Sequence, residues 1–177
     1  MYILKVLLVS ILSLFAIGVL AILALRLAYP QPTAPDTKTI TIIPATPTAV
    51  LEAVNKERSK VGVAPLKLHL NIAKSAQLKA DDMWYHDYRT HEIPYITAQK
   101  VTLTDEMADL VNPVCSSSSE NLTYYKTKSE VMTAEQAIIG WLSSPAHKKA
   151  MLDPKYTYTG IGVSHNNLVV QRFCVAK

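Results

Sequence analysis

The chain has 177 residues, 49% hydrophobic and 18% charged, which is too apolar for a disordered chain and leans toward membrane contact. Its 18 basic and 14 acidic residues leave +4, and only +2 once Lys5 and Arg26 beside the first apolar run are set aside, with no basic stripe of the kind nucleic-acid binders carry. Five glycines and two cysteines exclude collagen-like, Cys-rich zinc and disulfide-dense scaffolds. In chain order, the first element is residues 6–25, VLLVSILSLFAIGVLAILAL, 20 residues without a charge. As a helix they reach about 30 Å, the thickness of a bilayer's hydrocarbon core. A secretory signal has a shorter apolar core and a small-residue cleavage site, and Arg26-Leu27-Ala28 is a poor one. Residues 1–27 therefore read as an uncleaved, single-span signal anchor with the remainder exported. A cleaved signal peptide, leaving a secreted domain, is the alternative.

Residues 28–47 contain half of the 10 prolines and are Thr-rich, which predicts an extended linker. Within it, Thr39 to Ile43 has the composition of a short strand able to dock on the domain. Residues 48–177 suffice for one core. Thr48 is placed to cap a helix through Val50, Leu51, Val54, Arg58 and Val61, stopped at Gly62. A second helix spans Asn71 to about His86 and presents Ile72, Ala76, Leu78, Lys79, Ala80 and Met83 on one side. Residues 87–103 read as loop, Thr104 to Val111 as a short helix stopped at Asn112-Pro113, and Ser116 to Ser119 as a flexible loop. Glu120 to Tyr125 reads as a strand. Thr133 and Gln136 form a capping-box pattern ahead of a helix through Ala137, Ile138 and Trp141, and Pro145 opens a further helical turn to Leu152. Tyr156 to Ser164 and Leu168 to Val175 are strand-like, joined at His165-Asn166-Asn167, where asparagine tolerates positive φ. Helices followed by an antiparallel hairpin indicate an α+β fold.

Cys115 and Cys174 lie on the exported side, near strands able to be neighbours in one sheet. A Cys115–Cys174 disulfide is expected, with two unpaired thiols as the alternative.

Several fragments read together in order: Asn55-x-x-Arg58 with Gly62 and Pro65-Leu66; Asp82-Met83 with Tyr88 and His91; Glu120-Asn121; Trp141-Leu-Ser-Ser-Pro-Ala-His147; Leu152-Asp-Pro; Gly160-Ile-Gly162; and Val170-Gln-Arg-Phe173. Over residues 48–176 the chain resembles the CAP superfamily (cysteine-rich secretory proteins, antigen 5, pathogenesis-related 1), and most of all its bacterial SCP-like extracellular branch. The resemblance implies an α-β-α sandwich with a central antiparallel sheet and a cleft lined by two histidines and two acids. His91, Glu120 and His147 match three of these positions. Ser144 stands where animal relatives have the fourth, a glutamate.

By the same resemblance His91 and His147 are candidate Zn2+ ligands, and Glu120 is a candidate third ligand or general base on a metal-bound water. The spacing of the two histidines carries no metal signature of its own. The plainer reading makes both histidines packing residues and Glu120-Asn121 a structural pair. Asn55 and Arg58 read as ties between the first helix and the core, Trp141 as core, and His69, His86 and His165 as surface. The leading functional expectation is a membrane-anchored binding or interaction module for a lipid, peptide, cell-wall or protein ligand, without a role for nucleic acid. The alternative is a metal-assisted extracellular hydrolase using the His91, His147 and Glu120 cleft.

Overall fold

The computed structural model describes residues 41–95 and 97–177. The expected anchor helix and most of the linker lie outside the described residues. No helix among the described residues is long and apolar enough to cross a membrane. Thr41 to Ile43, the described part of the suggested docking strand, forms no strand, and Ile42 and Ile43 are exposed. Packing begins at Ala45, which is buried and donates its N–H to the Met132 carbonyl at 2.7 Å.

The element order is α1 (Pro47–Lys60), β1 (Lys67–Leu68), α2 (Leu70–Tyr85), α3 (Ala98–Val111), β2 (Cys115–Tyr124), α4 (Ala134–Ser143), α5 (Pro145–Leu152), β3 (Tyr158–Ser164) and β4 (Leu168–Ala176). The four strands form one sheet in the order β1-β3-β4-β2. The sheet is mixed rather than wholly antiparallel, because β1 runs parallel to β3 while β3–β4 and β2–β4 are antiparallel. β1 and β3 are not consecutive: α2, α3, β2, α4 and α5 lie between them, and so long a crossover allows a parallel pair.

Side chains alternate between faces along β4, as a strand's period of two requires. Val169 and Phe173 join a core with α1, α4 and α5 that includes Val50, Val54, Trp141 and Met151. Leu168 and Val170 join a second core with Ala76, Ala80, Met83, Met107 and Leu122. Helices therefore cover both faces, α1, α4 and α5 on one and α2 and α3 on the other. α2 lies unusually close to β3. A Cβ on Gly160 would stand 2.1 Å from the Ile72 carbonyl carbon, and one on Gly162 would stand 2.4 Å from the Ala76 oxygen. Only glycine permits that approach.

Several helix ends differ from expectation for reasons of capping. Thr46, not Thr48, caps α1, because Pro47 can occupy the first helical position where an N–H has no partner in any case. α3 begins at Ala98, not Thr104, because the Thr97 hydroxyl accepts from Lys100 N–H and starts the helix six residues earlier. The Thr133–Gln136 capping box forms in both directions. Gly62 adopts φ 74° just past the end of α1. His165 and Asn166 both take positive φ in the β3–β4 turn.

Ser116 to Ser119 is strand, not loop. Ser117 to Ser119 pair with Val175 to Phe173 along β4, with a register shift between Cys115 and Ser117. Cys115 is bonded to Cys174 at 2.05 Å, so the disulfide ties the start of the outer strand to its neighbour. Arg58 is 1% exposed and donates to four carbonyls, those of Ala64, Met151, Asp153 and Tyr156, at 2.8 to 3.1 Å. Burial lowers its pKa, with nearby Asp153 opposing. The Asn55 side chain both donates to and accepts from the Leu66 backbone. Both residues tie α1 to the connectors around it.

Candidate functional site

The site sits at the outer margin of the sheet, where β2 has no strand beyond it among the described residues. Each side chain reaches it from a different layer. His91 comes from the loop after α2, Glu120 from β2, and His147 from the first turn of α5. Glu120 and its cross-strand partner Arg172 share the face that carries Leu122 and Val170. Asn121 points the other way and donates its side-chain amide to the His147 carbonyl at 3.0 Å, which fixes the start of α5 to the strand.

His91 Nδ1 lies 3.0 Å from Glu120 Oε1. An ionised carboxylate only accepts, so Nδ1 carries the proton and Nε2 is left as the free nitrogen. The other Glu120 oxygen, Oε2, lies 3.1 Å from Arg172 Nη2. The carboxylate is thus shared between an imidazole and a guanidinium. The His91 and His147 rings lie 6.3 Å apart, centroid to centroid, at 62°. Burial lowers the His147 pKa below its usual value, and the neighbouring His91 adds to the effect, so His147 is held neutral.

Of the residues expected to line the cleft, the structure sets His91 against Glu120 and turns the His147 ring toward His91. It places Ser144 at the cap of α5, without a side-chain capping bond. Glu120 partners His91 through one oxygen and Arg172 through the other. The two imidazoles do suit a transition metal, since one is neutral and the other has its tautomer set by a carboxylate, an arrangement known for histidine ligands. Rings bound to one tetrahedral zinc would have centroids about 5 Å apart, given Zn–N bonds of about 2 Å. A shift of about 1 Å would bring His91 and His147 to that separation. Among the described residues no third ligating side chain converges on them. A metal held here would have two imidazoles as its protein ligands.

A buried polar chain supports the His91 loop. Lys79 is fully buried on α2, and its ammonium donates to the His91 carbonyl at 2.7 Å and to the Tyr88 hydroxyl at 3.1 Å. Tyr88 donates to Asp82 Oδ2 at 2.5 Å, Tyr95 donates to Oδ1, and His86 Nδ1 lies 3.0 Å from the same oxygen. Burial lowers the Lys79 pKa to about 8, against the pull of Glu120 and Asp82. Burial and then the bond to Asp82 raise the Tyr88 pKa, and the same causes push Tyr95 up to about 12. Sequence reasoning assigned no role to Lys79 or Arg172. The available signal was Lys79 itself, a charge among the apolar positions of α2. Of the histidines read as surface, His86 and His165 are exposed, whereas His69 is half-buried with its ring edge against Tyr158.

The profile of the cysteine-rich secretory protein (CAP) family matches residues 51–176. The chain is 30% identical over 151 residues to the Bacillus subtilis protein YkwD, covering 80% of this chain and 53% of that protein. It is 29% identical over 114 residues to the B. subtilis membrane protein YlbC, covering 64% of this chain and 30% of that one. The chain thus spans about half the length of YkwD and less of YlbC. Among solved structures, an extracellular SCP-domain protein of Bacillus anthracis superposes with a TM-score of 0.57 at 23% identity, over 81% of this chain and 44% of that one. An outer surface protein of Borrelia burgdorferi gives 0.59 at 17% identity, over 73% and 92%. A cysteine-rich secretory protein of Staphylococcus aureus gives 0.56 at 19%, over 72% and 37%. At these identities the structures speak to the fold alone.

Proposed function

The chain belongs to the CAP family, and from that premise we propose that it is a binding module, held outside the cytoplasmic membrane by an N-terminal anchor, whose cleft presents two imidazoles to a lipid, peptide or cell-wall ligand. The observation that carries this reading is the engagement of Glu120. One oxygen orients His91 and the other faces Arg172, each at hydrogen-bond distance. A general base must be free to take a proton from the nucleophile. A carboxylate held between two cationic or donor groups is instead an orienting group. His91 Nε2 and the neutral His147 ring are then left to meet the ligand.

The test is retention without cleavage. The full chain, displayed in lipid nanodiscs, is incubated with purified cell-wall fragments, with a peptide library and with lipid vesicles. Retention by one class, lost in His91→Ala and in His147→Ala, is the expected result. Release of soluble products that depends on Glu120 would overturn it in favour of the metal-assisted hydrolase.

That second reading draws on the neutral His147 and the carboxylate-oriented His91. These two rings would hold zinc, which when bound would supply Lewis acidity at the cleft. Thermal melting with and without zinc tests it. A shift abolished in both histidine variants is the outcome it needs.

A further inference from the structure

Beside His91 a cavity of about 460 Å3 opens between α3, the loop after α2, and strands β2 and β4. Three cationic side chains, Lys79, Lys100 and Arg172, stand in its lining. Arg172 Nη2, besides facing Glu120, lies 3.5 Å from the Met107 sulfur, a weak acceptor for a guanidinium. Arg172 Nε is buried and has no hydrogen-bond partner among the described residues. Lys79 has three N–H groups and directs two of them to Tyr88 and to the His91 carbonyl. Lys100 adds a third cation to the lining; the carboxylates at hand are Glu92 in the lining and Glu120 beside Arg172. The rest of the wall is divided between polar Thr104, Asn112 and Ser118 and apolar Ile93, Met107 and Val111, the last three at 6 to 8% exposure.

A desolvated guanidinium N–H without an acceptor is an unusual thing for a folded protein to keep. A carboxylate or phosphate oxygen is the acceptor that best matches it. Three cations, one with an unmet N–H, set beside a partly apolar wall, describe a seat for an anionic group attached to a small apolar one.

We propose that this cavity receives the anionic group of the cleft's ligand, a carboxylate or a phosphate, with Arg172 and Lys100 as its donors and Ile93, Met107 and Val111 against the adjoining carbon. The inference rests on the binding-module reading and narrows its ligand class. His91 lines the cavity, so a single ligand reaches both the anion seat and the imidazoles.

The chain has four arginines, so 15N labelling at arginine Nε gives few enough resonances to follow Arg172 directly. The full chain in nanodiscs is titrated with N-acetyl-alanine, with methyl phosphate, and with the neutral N-acetyl-alanine amide. The expected result is a saturable shift of the Arg172 Nε–H signal with at least one anion and none with the amide. Which anion binds more tightly separates a carboxylate from a phosphate source. Lys100→Gln is expected to weaken that binding at least threefold, and Lys56→Gln, which removes an exposed lysine of α1 outside the cavity, to leave it unchanged. No saturable shift with either anion, an equal response to the amide, or wild-type affinity in Lys100→Gln would each overturn the proposal. Equal weakening in Lys56→Gln would make the response one to overall charge and overturn the placement. The Arg172 signal is read with small anions and retention with whole cell-wall, peptide or lipid probes, so the two readings fail separately.

Discussion

Glu120 on β2 and Arg172 on β4 are register partners, and their charged ends meet 3.1 Å apart on the face that turns toward α3. Their side chains are 14% and 19% exposed, so neither charge is well solvated. Removing one leaves the other with a desolvation cost of about 1–3 kcal/mol. Glu120→Gln and Arg172→Gln should each destabilise by about that much, and the double variant by less than their sum. Urea unfolding of the four proteins in the cycle measures the difference. Strict additivity would show that the pair is not coupled.

Arg58→Lys should be severe despite keeping the charge. A lysine cannot reproduce the planar fork that meets four carbonyls, from two connectors and the last turn of α5. Leaving buried acceptors unmet predicts a loss of about 3 kcal/mol or more. A fall in Tm comparable to that of a surface lysine exchange would contradict the role given to this residue.

Lys79 and His147 predict a stability that rises with pH in two windows. Both have folded pKa values below their unfolded ones, so between the two values the unfolded chain holds more protons and stability increases with pH. For Lys79 the window runs from about 8 to 10.5. For His147 it lies just below 6.5. Denaturant midpoints measured across pH 5 to 10 should show both rises. Lys79→Met should flatten the upper one and His147→Gln the lower one.

The disulfide closes a loop with a sequence separation of 59 residues, which in the chain-entropy model stabilises by roughly 4 kcal/mol. Reduction, or Cys115→Ser with Cys174→Ser, should lower Tm accordingly. It should also free the register of Ser117 to Ser119 first, seen as faster amide exchange in that segment than in β3.

Gly160→Ala should be harsher than any surface change, since its Cβ would collide with the backbone of α2 rather than with a movable side chain. Gly140→Ala is the control. There the nearest atom is the Thr123 hydroxyl at 3.4 Å, and helix propensity favours alanine. Thermal melting of the two should differ in magnitude and direction.

What was legible in the sequence followed from local chemistry. The Thr133–Gln136 box, Gly62 past a helix end and the asparagine-rich turn each announce themselves within four residues. The site was legible only through the resemblance, because His91, Glu120 and His147 come from a loop, a strand and a helix that no periodicity connects. Ser116 to Ser119 misled because an outer strand with solvent on one side has little apolar content to reveal it. Pairing with β4 and the covalent tie at Cys115 hold it extended. Arg172 was passed over because its role depends on register, which decides that it opposes Glu120 and not Asn121. The early start of α3 turned on the Thr97 cap, one hydroxyl within a stretch that otherwise reads as loop.

His91 is carried by the layer that holds α2 and His147 by the layer that holds α5, with the outer strand between them. Neither layer carries both imidazoles by itself. A chain in which only one set of helices has docked would therefore present a sheet, and even a closed disulfide, without the paired rings. The meeting of His91 and His147 thus doubles as an inspection of the domain's own assembly, since it is reached only after both halves have come to rest on the same edge.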